Sequence, residues 1–205
     1  MQQQFDKILN GYKEFRSKYA QGEYSMMRAL SQEGQSPKVL VVACCDSRVD
    51  PALILQCDPG ELFVVRNVAN IIPPYQKDEA HHGTSAALEF AVRFLKVKHI
   101  IILGHSQCGG IQTLLKQGAA TENDFINNWV SLVKDESEHT CDADLYAKHA
   151  MSQSYDNCLA FPWVKERFDA GDLAIHRWFF DIGTGIVGFF CDQTKGFKPL
   201  EEAAL

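Results

Sequence analysis

KVLVVACCDSRV, residues 38–49, decides how this chain is read. After Lys38, its next six residues are a continuous apolar run rich in β-branched side chains. That pattern marks a strand buried on both faces, as in a parallel sheet, where an amphipathic strand would alternate apolar and polar. ELFVV (61–65) and HIIIL (99–103) repeat the signature. Between these two lies TSAALEFAVRFL (84–95), with Ala87, Phe90, Ala91, Phe94 and Leu95 at helical spacing. Strand, helix, strand in that order predicts a parallel crossover unit.

Outward from this centre, residues 1–30 read as a helical arm. Phe5, Ile8, Leu9, Tyr12, Phe15 and Tyr19 recur three or four apart on one stripe, interrupted by Gly11 and Gly22. Such a stripe must pack on its own domain or on a partner subunit. After Gly110 the pattern is largely helical to about Ala170, with polar interruptions near Gly118 and Glu138. LAIHRWFFDIGTGIVGFFC (173–191) predicts two strands joined through Gly183-Thr184-Gly185. The sequence therefore predicts one α/β domain with a mainly parallel central sheet, flanked by helices and preceded by the arm.

Bulk properties narrow the function classes. A chain of 205 residues with 46% hydrophobic side chains can bury one sizeable core. The net charge of −6 and the absence of a Lys/Arg run give no electrostatic reason to expect nucleic acid. The N-terminal residues lack the apolar stretch of a secretory signal, and no run approaches the roughly 20 apolar residues of a membrane span. The expected location is the cytoplasm. Seven cysteines, at 44, 45, 57, 108, 141, 158 and 191, are odd in number and scattered, unlike a secreted disulfide framework. In a reducing compartment such cysteines are metal ligands, catalytic groups or small buried hydrophobes, and at most a few can be ligands. Cys45, Cys57, Cys141, Cys158 and Cys191 read as packing thiols.

Two loops carry chemistry, and both follow buried strands. One is Cys44-Cys45-Asp46-Ser47-Arg48 and the other Gly104-His105-Ser106-Gln107-Cys108-Gly109-Gly110. Ligands of open parallel sheets bind where such loops leave the carboxyl ends of strands. Singly, an H-x-x-C, a lone Cys or an Asp–Arg pair is weak. Together at strand ends they form a soft nitrogen–sulfur set suited to zinc, and three ligands leave the fourth position that a catalytic zinc needs.

The ordered motifs C-x-D-S-R-V (Cys44–Val49), P-G-E-L-F-V-V-R-N-V-A-N (Pro59–Asn70) and G-H-S-x-C-G-G-I (Gly104–Ile111) resemble the β-class carbonic anhydrases. The likeness continues more loosely through Ser154–Asn157 and the segment from His176 to Gly185. It implies a domain over residues 31–205 with four parallel strands and a fifth edge strand. It also implies one Zn2+ per chain on Cys44, His105 and Cys108, with Asp46 and Arg48 as the catalytic dyad. The implied reaction is reversible hydration of carbon dioxide to bicarbonate and a proton by zinc-bound hydroxide. Gln35, Phe63, Val68, Phe90 and Gly109 fall at substrate-pocket positions. Phe90 stands where many relatives carry Tyr. In some family members the Asp swings onto zinc, and the sequence leaves open which arrangement holds here.

The resemblance further implies a homodimer as minimal unit, with tetramers or larger assemblies common among relatives. A subset of the family has a regulatory bicarbonate site built around a Trp three residues before the first zinc Cys. Val41 stands there, so that site is expected to be missing. Hydrolysis of an analogue such as carbon disulfide is the rival reaction on this scaffold, and a silent zinc-binding or bicarbonate-sensing module the rival class. Such a module usually shows a lost ligand or dyad, and neither is lost. His81 and His82 are candidate proton shuttles; His99, His139, His149 and His176 have no motif support.

Overall fold

The computed structural model describes residues 2–116, 125–133 and 142–203. Gly118, Glu138, His139 and Cys141, named above, lie outside the described residues. Two compact units make up the chain, residues 1–36 and 37–205.

The first unit holds helices α1 (Gln2–Gln21) and α2 (Ser25–Glu33). They are joined at Gly22, whose φ of +90° suits a residue without Cβ. Phe15 packs on Tyr24 with ring centroids 4.9 Å apart, and Arg28 donates to the Tyr19 carbonyl at 3.1 Å. Neither helix has a buried residue. The stripe of Phe5, Ile8, Leu9 and Tyr12 is between 42% and 68% exposed, an unusually wet face for such side chains.

The second unit is built on a six-stranded sheet in the order β2-β1-β3-β4-β5-β6. Strands β1 (Val39–Cys44), β2 (Leu62–Asn67), β3 (His99–His105) and β4 (Ala174–Phe180) are parallel. β5 (Val187–Cys191) returns antiparallel to β4 through the Gly183–Gly185 turn. β6 (Gly196–Pro199) adds a sixth, antiparallel strand that its short, mixed sequence did not announce.

The continuous apolar runs bury both faces, as their composition requires. Leu40, Val42, Ile100 and Ile102 face one core with helices α4 (Gly83–Glu89), α7 (Ala143–Leu159) and α8 (Pro162–Asp169). Val41, Ala43, Ile101 and Leu103 face a second, smaller cluster with Ile54 and Leu55, the last residue of α3 (Pro51–Leu55) being Leu55. Asp50 starts α3 by accepting the Leu53 N–H at 3.1 Å, with Pro51 at the first helical position. α7 crosses β3 so closely that a Cβ on Gly104 would collide with the Met151 sulfur.

The crossover helix differs from expectation. α4 ends at Glu89, and Phe90–Phe94 continue as a π-helical segment. In this segment Ala91 and Val92 are buried, whereas Phe90 is 42% and Phe94 70% exposed, stacked on each other at 5.5 Å. The stretch after Gly110 contains α5 (Gly109–Leu115), α6 (Ile126–Val130), α7 and α8. No helix among the described residues is long and apolar enough to cross a membrane.

Ile102, fully buried in the central β3, tests the core. Ile102→Ala should cost about 2–5 kcal/mol in equilibrium urea unfolding with little change in the denaturant slope.

Candidate metal centre and active site

The register of the central strands assembles the site. Ala43 of β1 lies beside Leu103 of β3, so the two chemistry-bearing loops leave the sheet as neighbours. Cys44 ends β1, His105 ends β3, and Cys108 immediately precedes α5. All three are buried, and their ligand-capable atoms lie within 4.8 Å of one another.

The donor set fits a metal ion by three observations. The Cys44 and Cys108 sulfurs are 3.9 Å apart, close to the ~3.8 Å between two thiolates each about 2.3 Å from a tetrahedral zinc. His105 Nδ1 is 2.9 Å from the Ser106 carbonyl. A carbonyl only accepts, so Nδ1 carries the proton and Nε2 keeps a free lone pair. That Nε2 is buried and has no hydrogen-bond partner, a costly arrangement unless something binds it.

Without metal the thiols titrate as a pair. Hydrogen bonding from the Cys108 thiol pulls Cys44 down to about 4, against the cost of its burial. The same contact, with burial, pushes Cys108 far above the ordinary thiol range. Burial opposes charge on His105, but the Cys44 sulfur beside it outweighs burial and raises the imidazole.

Asp46 and Arg48 form a clamped pair at the mouth. Arg48 donates Nε to Asp46 Oδ1 at 2.9 Å and a terminal nitrogen to Oδ2 at 2.8 Å, and its backbone N–H also reaches Oδ1 at 3.0 Å. These hydrogen bonds hold the Asp46 carboxyl well below the usual carboxylate range. Both carboxylate oxygens are thus engaged by Arg48.

Four supporting residues were not given these roles by sequence reasoning. Arg66 donates Nε to the Cys44 carbonyl at 2.9 Å and a terminal nitrogen to the Asp46 and Val49 carbonyls, each at 2.8 Å. It therefore staples the loop that carries Cys44 and Asp46. Trp129 Nε1 donates to the Val68 carbonyl at 2.7 Å. Ser154 accepts the Ile72 N–H at 3.1 Å and Asn157 donates to the Ile72 carbonyl at 2.8 Å, which gives the Ser154–Asn157 motif a structural job. The motifs offered a signal only for Arg66 and the Ser154–Asn157 pair; Trp129 lies outside every quoted pattern.

The pocket positions separate. Val68 lines a cavity of about 640 Å³ with Cys45, Asn67, Phe125, Trp129 and Leu132. Gly109 is exposed at the start of α5, and a Cβ on the next residue, Gly110, would sit 2.5 Å from Val68 Cγ1. Phe63 and Phe90 pack on each other at 5.8 Å and do not line that cavity. Gln35 is exposed in the N-terminal unit.

Cys45, read as a packing residue, is instead exposed and faces the cavity, because β1 ends at Cys44 and the chain turns outward. Cys57 and Cys191 are partly exposed, and Cys158 alone among the described members of that group is fully buried. His82 pairs with Asp78 at 2.7 Å, whereas His81 is exposed. His99 and His176 contact each other at 3.1 Å, at the far end of β3 from the donors.

Two outcomes follow from this geometry. In Arg66→Lys a single ammonium cannot reach three carbonyls, so metal affinity should drop by about 10-fold or more in competition with a chelator. Metal-stripped protein should gain stability as pH rises from about 4, the Cys44 value, to ~6.5, where the unfolded imidazole releases a proton that folded His105 keeps and the gain is offset. Between those values the unfolded chain still holds the thiol proton that folded Cys44 has released. Above ~8.5, where unfolded thiols ionise, stability should fall again because folded Cys108 keeps its proton. Urea midpoints across pH, compared with Cys44→Ser, measure both limbs.

Residues 39–187 match the family model described as carbonic anhydrase. β carbonic anhydrase 3 of Arabidopsis thaliana is 36% identical over 88% of this chain and 74% of its own length. A carbonic anhydrase of Synechocystis is 36% identical over 88% of this chain and 69% of that protein. For the chloroplastic β carbonic anhydrase 5 of Arabidopsis thaliana the identity is 35% over 87% of this chain, which spans 62% of that relative's length. The solved β-carbonic anhydrase CcaA superposes with a TM-score of 0.86 at 32% identity, covering 96% of this chain and 99% of that one. Tetrameric β-carbonic anhydrases of Sordaria macrospora reach 0.78 at 28% identity, over 91% and 96%. A Cys–His–Cys donor triangle with its Asp–Arg pair, on a sheet that these proteins share, places the chain in the β-class carbonic anhydrase family.

Proposed function

We propose that this chain catalyses the reversible hydration of carbon dioxide to bicarbonate and a proton, with one zinc ion held by Cys44, His105 and Cys108. The observation that carries the reading is the buried donor triangle set two residues from a carboxylate that Arg48 grips with both ends of its fork. Zinc, when bound, supplies Lewis-acid activation of water, so that a nucleophile is available near neutral pH.

The chain's own residues orient the reaction. Arg48 fills both acceptor positions of Asp46 Oδ1 and one of Oδ2, leaving Oδ2 free to accept a hydrogen from the reacting water and aim its lone pair at carbon dioxide. Because Asp46 is held far below the usual carboxylate range, it stays ionised at neutral pH. Any rise in rate toward alkaline pH then belongs to the water, not to this carboxyl. The bidentate contact favours the arrangement with Asp46 on Arg48 over the one with Asp46 on the metal. The largely apolar cavity at Val68 suits an uncharged, apolar substrate. By resemblance to the family, Gln35, Phe63, Phe90 and Gly109 are the other proposed substrate-contacting residues, with the Gln35 amide as a hydrogen-bond donor to a substrate oxygen.

Three further readings accompany this one. Val41, at the position where the regulatory subset carries Trp, is fully buried, which supports the expectation that the regulatory bicarbonate site is missing. The exposed stripe on α1 supports a homodimer or larger homo-oligomer. The six described cysteines are all unpaired, which fits a reducing compartment such as the cytoplasm.

Stopped-flow carbon dioxide hydration from neutral to alkaline pH, with zinc quantified in the same sample, tests the proposal. Fast turnover at about one zinc per chain is expected. Cys108→Ala should lose both zinc and activity, whereas Asp46→Ala should keep zinc and lose on the order of 100-fold in kcat/KM. Full zinc loading without hydration at any pH would reject the reaction.

A further inference from the structure

We propose that Asp144 is a positioning residue for the metal loop and the Asp46–Arg48 pair, an inference that rests on the metal-site reading above. Gln107 lies between His105 and Cys108 and has a φ of +56°, the left-handed region that a residue with a Cβ seldom occupies. Both backbone groups of Gln107 are engaged. Its N–H donates to Asp144 Oδ1 at 2.7 Å, and its carbonyl accepts from a terminal nitrogen of Arg48 at 3.3 Å. One residue in an unfavourable conformation is therefore held from two sides, and one of those sides is the guanidinium that grips Asp46.

Asp144 is itself well anchored. It sits in the first turn of α7, where the Asp142 side chain accepts the N–H groups of Asp144 and Leu145 at 2.9 and 3.2 Å. An acidic side chain is favoured at that end of a helix, and a hydrogen bond to a carboxylate is stronger than one to a neutral acceptor. α7 in turn packs on β3, the strand that delivers His105. The connection runs from α7 through Asp144 to the Gln107 peptide, then to Arg48 and Asp46. Asp144 is neither one of the three donors nor a residue lining the cavity at Val68. It acts by fixing where the Gln107 carbonyl points and how tightly the span between two metal donors is held.

The conservative variant separates this role from simple helix stabilisation. Asp144→Asn keeps an oxygen that can accept the same N–H, whereas Asp144→Ala removes it. In zinc-loaded protein, Asp144→Ala should release zinc to a chelator about 10-fold faster and lose a similar factor in kcat, with KM for carbon dioxide nearly unchanged. Asp144→Asn should stay within about threefold of wild type in both. Wild-type zinc release and kcat in Asp144→Ala, or equal impairment in Asp144→Asn, would overturn the proposal. Should Asp144→Ala fail to fold, hydrogen exchange at the Gln107 amide of the wild-type protein decides. Protection supports the bond, and exchange at the rate of a free peptide excludes it. A wild type that holds zinc but does not hydrate carbon dioxide would reject the reaction proposed above, while the zinc-release rates would still decide the role of Asp144.

Discussion

The parallel pairing of β1 with β3 is the constraint on which the site depends. Both strands are buried on both faces, so their side-chain register cannot slip without driving apolar residues out of one core or the other. Leu40 and Val42 alternate with Val41 and Ala43 across the sheet, and Ile100 and Ile102 alternate with Ile101 and Leu103. With Ala43 fixed beside Leu103, Cys44 and His105 have to emerge side by side. The metal donors are close because the hydrophobic cores require it, and the loops need only add Cys108.

Beyond the strand ends, rigidity comes from polar groups tied to backbone. Arg66 holds three carbonyls of the loop after β1. Asn67 both donates to the Ile71 carbonyl and accepts the Ile71 N–H, at 2.9 and 2.8 Å. These bonds satisfy backbone groups that leave the sheet ladder without another partner. They also explain how a segment with two consecutive left-handed residues, Ala69 and Asn70, stays packed against α5. The site is stiff for the same reason that the fold is stable there: few buried polar groups near it are left unpaired, and His105 Nε2 is the telling exception.

The strands, the donor residues and the Asp46–Arg48 pair were legible because each is a local pattern: a β-branched apolar run, or a short motif directly after one. Other features depended on neighbours remote in sequence. The π-helical segment at Phe90 keeps the apolar spacing of an α-helix, so periodicity could not reveal it. Cys45 read as a packing residue because free cysteine is usually buried, whereas the end of β1 turns it outward to the cavity. β6 is four residues long with one Pro and one Gly, and it becomes a strand only because β5 offers an edge. Trp129 joins the site by lining the cavity and by a hydrogen bond to Val68, 61 positions away.

By itself, the sequence determined the parallel α/β class, the candidate donors and the family resemblance, since apolar run length and motif spacing are properties of the local chain. Tertiary structure alone decided that the two sulfurs stand 3.9 Å apart, that Arg66 and Asp144 hold the loops on either side of them, and that Cys45 faces a cavity. Those are distances and directions between residues from 22 to 64 positions apart in the chain. They are set by how helices and strands pack against shared cores, which no local pattern of residues encodes.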